Sequence, residues 1–155
     1  MKKVLIALDY DPTAKKVAEV GFSLAKSMNA EVILLHIILD PVYYASTQHP
    51  AIMGFAGYND TILMPIDSID KLKKLSLEYL EKSKLHLGDK AIKTRVEEGN
   101  PAESILKAAK KLHADIIVIG SHSQKWLENL VMGSVSEEVL RHTEIPVFII
   151  PTKKN

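Results

Sequence analysis

The chain has 155 residues, 46% of them apolar and 25% charged, which is the composition of a globular protein with one ordinary core. Twenty basic residues against nineteen acidic ones leave a formal charge of +1, so there is no electrostatic argument for a nucleic-acid or anionic-membrane partner. The lack of cysteine excludes disulfides, thiolate nucleophiles and Cys-ligated metal centres, and no apolar run approaches the ~18 residues of a membrane span.

The N-terminal residues Met1-Lys2-Lys3 lead into an apolar run that ends before Asp9. That run is shorter than the roughly 7–15 residues of a secretory h-region, so a cytoplasmic location is expected. Lys3–Leu8 is nearly all aliphatic and predicts a strand covered on both faces. Thr13–Met28 follows with Ala14, Val17, Ala18, Gly21, Phe22 and Leu24–Ala25 on one stripe, the pattern of an amphipathic helix. Asn29 is placed to close it in a left-handed conformation. Glu31–Ile38 predicts a second buried strand.

Asp40–Ile66 departs from this alternation. Connections of such length are uncommon inside compact domains and are usually functional or disordered. Four of the nine aromatic residues (Tyr43, Tyr44, Phe55 and Tyr58) lie in it, with Pro41, Pro50 and Pro65. Disordered segments are poor in aromatics, so a packed flap is expected here. It would cover the core edge, a ligand pocket or another subunit.

Asp67–His86 predicts a second helix, with Ile69, Leu72, Leu75, Leu77, Leu80 and Leu85 on its apolar stripe. Ile92–Val96 alternates in polarity and predicts an edge or half-exposed strand. Asn100-Pro101-Ala102-Glu103 gives an N-cap, a proline at the first helical position and a first-turn acid, opening a helix over Pro101–Leu112. Asp115–Ile119 is the fourth strand. Ser134–His142 is the fourth helix, with Ser134 and Glu137 at capping-box spacing. Ile145–Ile150 is the fifth strand. Strands alternating with helices imply right-handed parallel crossovers, and so an α/β sheet with helices on both faces over residues 1–155. Ligands of such sheets bind at the carboxyl ends of strands where strand order reverses. That directs attention to Ala7–Asp9, Ile37–Asp40, Glu98–Pro101 and Gly120–Ser123.

The strongest chemical signal is Gly120-Ser121-His122-Ser123 followed, nine residues on, by Gly133-Ser134-Val135-Ser136 at the start of a helix. Glycine lets a backbone approach an anion closely, and a helix N-terminus offers unpaired N–H groups. Ser134 and Ser136 add hydroxyls. The alternative is that the glycines end strands and Ser134 only caps its own helix. Between the two motifs, Trp126, Leu127, Leu130, Val131 and Met132 are expected either to pack over the fourth helix or to hold the loop as a flexible flap ordered by ligand. His36, within a strand, reads as a hydrogen-bonded core residue. His49, His86, His113 and His142 lack metal-ligand spacing, and neither a Walker A pattern nor a GxSxG elbow is present.

Taken together, Lys2–Asp9, Leu35-His36-Ile37, Glu98–Ala102, Asp115–His122, Gly133–Ser136 and Ile145-Pro146-Val147 resemble the universal stress protein family along nearly the whole chain. The resemblance implies a three-layer α/β/α sandwich of Rossmann-like, adenine nucleotide alpha hydrolase-like type, with a five-stranded parallel sheet in the order 3-2-1-4-5. In one subgroup it implies an ATP site with the pattern G-x2-G-x9-G-[S/T]. This chain reads Gly120-x2-Ser123-x9-Gly133-Ser134, with serine where that subgroup has glycine. A positive φ at Ser123 would cost on the order of 1 kcal/mol or more, whereas an ordinary backbone there would make the hydroxyl a phosphate donor.

Carried over by position, Ala7, Leu8 and Asp9 would lie beside the adenosine. Asp9 would accept from ribose or help hold Mg against the phosphates; its alternative is to cap the first helix together with Asp11. Ile37 would offer main-chain groups to adenine. Ile119 and Gly120 would flank ribose and phosphates, and Gly133, Ser134, Val135 and Ser136 would cradle the phosphates, with Ser123 as a hydroxyl donor if its backbone is ordinary; His122, in the same loop, would face either phosphate or solvent. The resemblance further implies a homodimer joined through Ile145–Pro151, whose apolar edge invites pairing. The function expected is a cytoplasmic, ATP-binding regulatory protein of the stress response. Slow ATP hydrolysis or nucleotidyl transfer stays open, although no residue stands out as a general base. An interaction module with an empty pocket is a third class, which Ser123 favours.

Overall fold

The computed structural model describes residues 1–39, 69–121 and 134–152. The expected flap over 40–66, and His122, Ser123 and Gly133 of the glycine motifs, lie outside the described residues. Among the described residues, five strands and four helices alternate: β1 (Lys3–Ala7), α1 (Ala14–Ser27), β2 (Glu31–Ile38), α2 (Ile69–Leu87), β3 (Lys93–Glu98), α3 (Pro101–Leu112), β4 (Ile116–Gly120), α4 (Ser134–His142) and β5 (Val147–Ile150). All strand pairs are parallel, in the order β3-β2-β1-β4-β5. This is the three-layer, five-stranded arrangement expected from the sequence.

Period-two alternation divides each central strand between two cores. Val4, Ile6 and Leu8 of the β1 segment, Val32 and Leu34 of β2, and Val118 of β4 pack with Ala14, Val17, Ala18 and Ala25 of α1 and Leu80 of α2. Leu5, Ile33, Leu35, Ile117 and Ile119 point the other way. They meet Ala102, Ile105, Ala108 and Ala109 of α3 and Val139 of α4. The small residues on α1 and α3 let the helices sit close to the sheet. At Gly21 the approach is closest: a Cβ there would lie 2.9 Å from Ile6 Cδ1 and 3.0 Å from Val118 Cγ1.

The local signals act as their chemistry requires. Asn100 Oδ1 accepts from the Glu103 amide at 3.0 Å and Pro101 opens α3. Asn29, at φ 52°, closes α1. Gly99 needs to be glycine, because φ is 127° and a Cβ would stand 3.0 Å from Ser104 Oγ.

Several boundaries differ from expectation. β5 begins at Val147 rather than Ile145, because Pro146 has no N–H and contributes only its carbonyl, to Ile117 N at 2.9 Å. β3 runs Lys93–Glu98, one residue later at its start and two at its end than Ile92–Val96, following the pairing of Ile37 and Ile38 with Glu97 and Glu98. The stripe assigned to α2 also changes. Leu77 and Leu85 are 45% and 76% exposed, whereas Ser76 is 1% exposed between Leu72 and Leu80. A polar residue lies in the buried row because Tyr10 supplies it with a hydrogen-bond partner.

Candidate functional site

Strand order reverses between β1 and β4, since the chain leaves β1 toward β2 and β3 and returns on the other side. A crevice opens at that point, beyond the carboxyl ends of the two strands. Ala7, Leu8 and Asp9 of the β1 end form one wall. Thr13, Ala14 and Val17 at the start of α1 form a second, and Gly120 of β4 and Thr152 after β5 close it. The cleft these residues enclose is about 30 Å³, which admits one or two waters or a single functional group of a larger molecule. Gly120 is needed here for room. Its φ is ordinary, but a Cβ would come within 3.0 Å of both Thr152 Cγ2 and Val17 Cγ2.

The turn leaving β1 is built by two aspartates. The Asp11 amide donates to Asp9 Oδ1 at 3.0 Å. Asp11 Oδ1 in turn accepts from the Thr13 amide at 2.8 Å and the Thr13 hydroxyl at 2.7 Å. These are Asx-type contacts, which steer the chain from strand into helix. Of the two acids it is Asp11 that reaches the start of α1, through Thr13 and through its carbonyl, which accepts from Ala14 N at 2.9 Å. Burial raises the pKa of the Asp9 carboxyl to about 7; the negative charge of Asp11 adds to the rise and the Asp11 amide opposes it. Asp9 therefore holds a proton in mildly acidic solution and can then donate as well as accept.

Behind this turn stand three rings. His36 of β2, Tyr10 and Tyr79 of α2 have centroids 4.3, 4.9 and 6.0 Å apart, for the pairs Tyr10–His36, Tyr10–Tyr79 and His36–Tyr79. His36 Nδ1 lies 2.7 Å from the Leu8 carbonyl. A carbonyl only accepts, so Nδ1 carries the proton. Burial holds the ring's pKa below its ordinary value and keeps the imidazole neutral. The Tyr79 hydroxyl donates to the Asp9 carbonyl at 2.6 Å, and the Tyr10 hydroxyl pairs with Ser76 Oγ at 2.7 Å. His36 is thus the hydrogen-bonded core residue its position suggested. Sequence reasoning missed Tyr10, Ser76 and Tyr79. The available signal was the Ser76–Tyr79 spacing of three on α2, which puts both on one helical face.

The predicted site residues separate into groups. Ala7, Leu8, Asp9 and Gly120 converge on the crevice. The Ile119 side chain is buried in the core under α3 and α4, so only its main chain faces the strand end. The Ile37 side chain packs against that same core. Ser134 is the first residue of α4 and Val135 packs on the core beside it. Ser136 is buried, and its hydroxyl donates to the Gly120 carbonyl at 2.8 Å, tying α4 to β4. Among the described residues no group of three His, Asp or Glu side chains is placed to hold a metal. Asp9 supplies a single carboxyl to the crevice wall, whereas a divalent cation takes several oxygen ligands. Among the described residues, too, no helix is long and apolar enough to cross a membrane.

Known proteins match this chain over nearly its full length. The family model described as "Universal stress protein family" matches residues 1–151. Universal stress protein MJ0577 of Methanocaldococcus jannaschii is 30% identical over 158 residues, covering 99% of this chain and 97% of that protein. Stress response protein NhaX of Bacillus subtilis is 28% identical over 160 residues, covering 96% of each. The solved structure of MJ0577 aligns with a TM-score of 0.72 at 28% identity, over 99% of this chain and 97% of that one. A universal stress protein solved in complex with cAMP aligns with a TM-score of 0.66 over 98% of each chain. At 17% identity that likeness is one of fold alone.

Proposed function

Since the chain belongs to the universal stress protein family, we propose that it binds an adenine nucleotide, ATP foremost, in the crevice beyond β1 and β4. It would act as a regulatory homodimer of the cytoplasmic stress response. The observation that carries this reading is the convergence of Asp9 from β1 and Gly120 from β4 on one crevice at the reversal of strand order. The enclosed part of the cleft suits one functional group. A ribose hydroxyl is the natural occupant, because Asp9 can donate or accept there, and the rest of the nucleotide would lie over the strand ends. Ala7, Leu8, Ile37 and Ile119 would contribute main-chain groups to base and ribose. The phosphates would be received by Gly120, His122 and Ser123, and by Gly133, Ser134 and Val135 at the start of α4, where N–H groups and the helix dipole favour an anion. Ser136 would hold the Gly120 carbonyl in place rather than touch phosphate. Any Mg would be held chiefly by the phosphates, with Asp9 as at most one protein ligand. A fold neighbour with cAMP bound supports a small adenine nucleotide as a second ligand to test.

The sheet edges support the proposed dimer. β3 carries Lys93, Arg95, Glu97 and Glu98, which discourage pairing with another chain. β5 reads Val-Phe-Ile-Ile with Phe148 42% exposed, and a second copy would cover it.

Calorimetric titration with ATP, AMP and cAMP, each with and without Mg, tests the ligand. Binding is expected for wild type and is lost in Gly133→Asp, whose carboxylate would repel the phosphates. Ser123→Gly is expected to bind at least as tightly as wild type. Absence of binding by any of the three nucleotides at millimolar concentration would refute the assignment.

A further inference from the structure

The ring cluster behind the crevice contributes no atom to its lining, yet it holds the segment that does. Two consecutive carbonyls at the β1 end are each bound by a side chain from a different element. His36 of β2 donates to Leu8, and Tyr79 of α2 donates to Asp9. Among the described residues, β-ladder hydrogen bonding of this segment reaches as far as the Leu8 amide, which donates to Leu35 O at 2.8 Å. Past that residue the chain turns, and the Asp9 carbonyl is satisfied by the Tyr79 hydroxyl. A buried or half-buried carbonyl without a partner is costly, so this contact selects one orientation of the Asp9 peptide. Tyr79 is itself fixed. Its ring packs on Tyr10, and Tyr10 is anchored to the buried Ser76 one helical turn earlier on α2.

We propose that Tyr79, supported by His36 and Tyr10, is a positioning residue for Asp9. By binding the Asp9 carbonyl it sets the turn that places Asp9 in the crevice wall and aligns its carboxyl with the Asp11 amide. Asp9 is thereby oriented before any ligand arrives, and the ordering of this turn is not charged against binding. The inference rests on the adenine-nucleotide reading of the crevice for its functional consequence, but not for its geometry. It also ties α2, which directly follows segment 40–68 in the chain, to the residue proposed to read the ribose.

The test is Tyr79→Phe in the full chain, which removes one hydroxyl and keeps the ring stack. Two measurements are made. In the absence of nucleotide, amide hydrogen exchange should show loss of protection at Asp11, whose N–H bonds the Asp9 carboxylate, with no change at Val4, Leu5 or Ile33 in the sheet. In calorimetry with ATP, Tyr79→Phe should weaken binding about fivefold to tenfold in the wild-type background and have no effect in an Asp9→Ala background. Equal weakening in both backgrounds would mean that Tyr79 does not act through Asp9, and would overturn the proposal. So would unchanged protection at Asp11. If wild type binds no adenine nucleotide, the ligand assignment fails by itself, and the exchange measurement alone decides whether Tyr79 positions Asp9.

Discussion

Replacing Asp9 by asparagine should make the stability of this protein less dependent on pH, and the structure gives the sign and size of the change. The carboxyl is raised from the ordinary 3.8 to about 7, first by burial and then by the charge of Asp11. The groups around it reinforce the direction. Asp11 is a like charge, and the Tyr79 and Tyr10 hydroxyls, both raised by burial, remain neutral. His36 is held neutral and offers no compensating cation. Below the unfolded pKa, Asp9 is protonated in both states and carries no penalty. Between the two values the unfolded chain releases the proton and the folded protein keeps it, so stability falls as pH rises. Above the folded pKa both states are ionised and the penalty is complete. The slope is roughly 1.4 kcal/mol per pH unit, which over the window from 3.8 to about 7 amounts to on the order of 4 kcal/mol. Asparagine keeps the acceptor for the Asp11 amide and cannot ionise. Urea denaturation of wild type and Asp9→Asn at several pH values across and above that window is the assay. The variant should be near wild type at the acid end and clearly more stable at the alkaline end. A stability difference that stays flat across the series would refute the argument that this carboxyl is ionised against a burial penalty.

Two further outcomes are expected from packing alone. Gly21→Ala should destabilise the protein by about 1 kcal/mol: the gain in helix propensity is of similar size to the low end of overpacking penalties, but the new Cβ would meet the fully buried Ile6 and Val118 at 2.9 and 3.0 Å. A thermal midpoint at or above wild type would show that α1 can shift away from the sheet. Phe148→Glu should convert the proposed dimer to monomer in sedimentation velocity without loss of helix content, because the side chain is already exposed on the β5 edge. An unchanged sedimentation coefficient would place any self-association elsewhere.

The order of the elements and the layered sheet were legible because they depend on information carried within short windows. Aliphatic runs such as Glu31–Ile38 bury on both faces whatever surrounds them. Asn100-Pro101 caps α3 using atoms only a few residues apart. The strand ends forming the crevice were likewise indicated by the alternation of strand and helix, and Asp9 and Gly120 do meet there. The chain alone also carried the glycine pattern on which the proposed phosphate contacts of Gly133 and Ser134 rest.

Contacts between distant residues decided the rest. That Ser76 would be buried while Leu77 faces solvent depends on Tyr10, sixty-six residues earlier, supplying a partner for its hydroxyl. That the Ser136 hydroxyl donates to the Gly120 carbonyl depends on a partner sixteen residues away. Neither outcome is visible in periodicity, which reports how apolar a position is and not which polar groups will meet it. The raised pKa of Asp9 has the same origin. Sequence places an acid at the end of a strand, but only the packing of β1, α1 and α2 around it removes the water that would otherwise stabilise its charge.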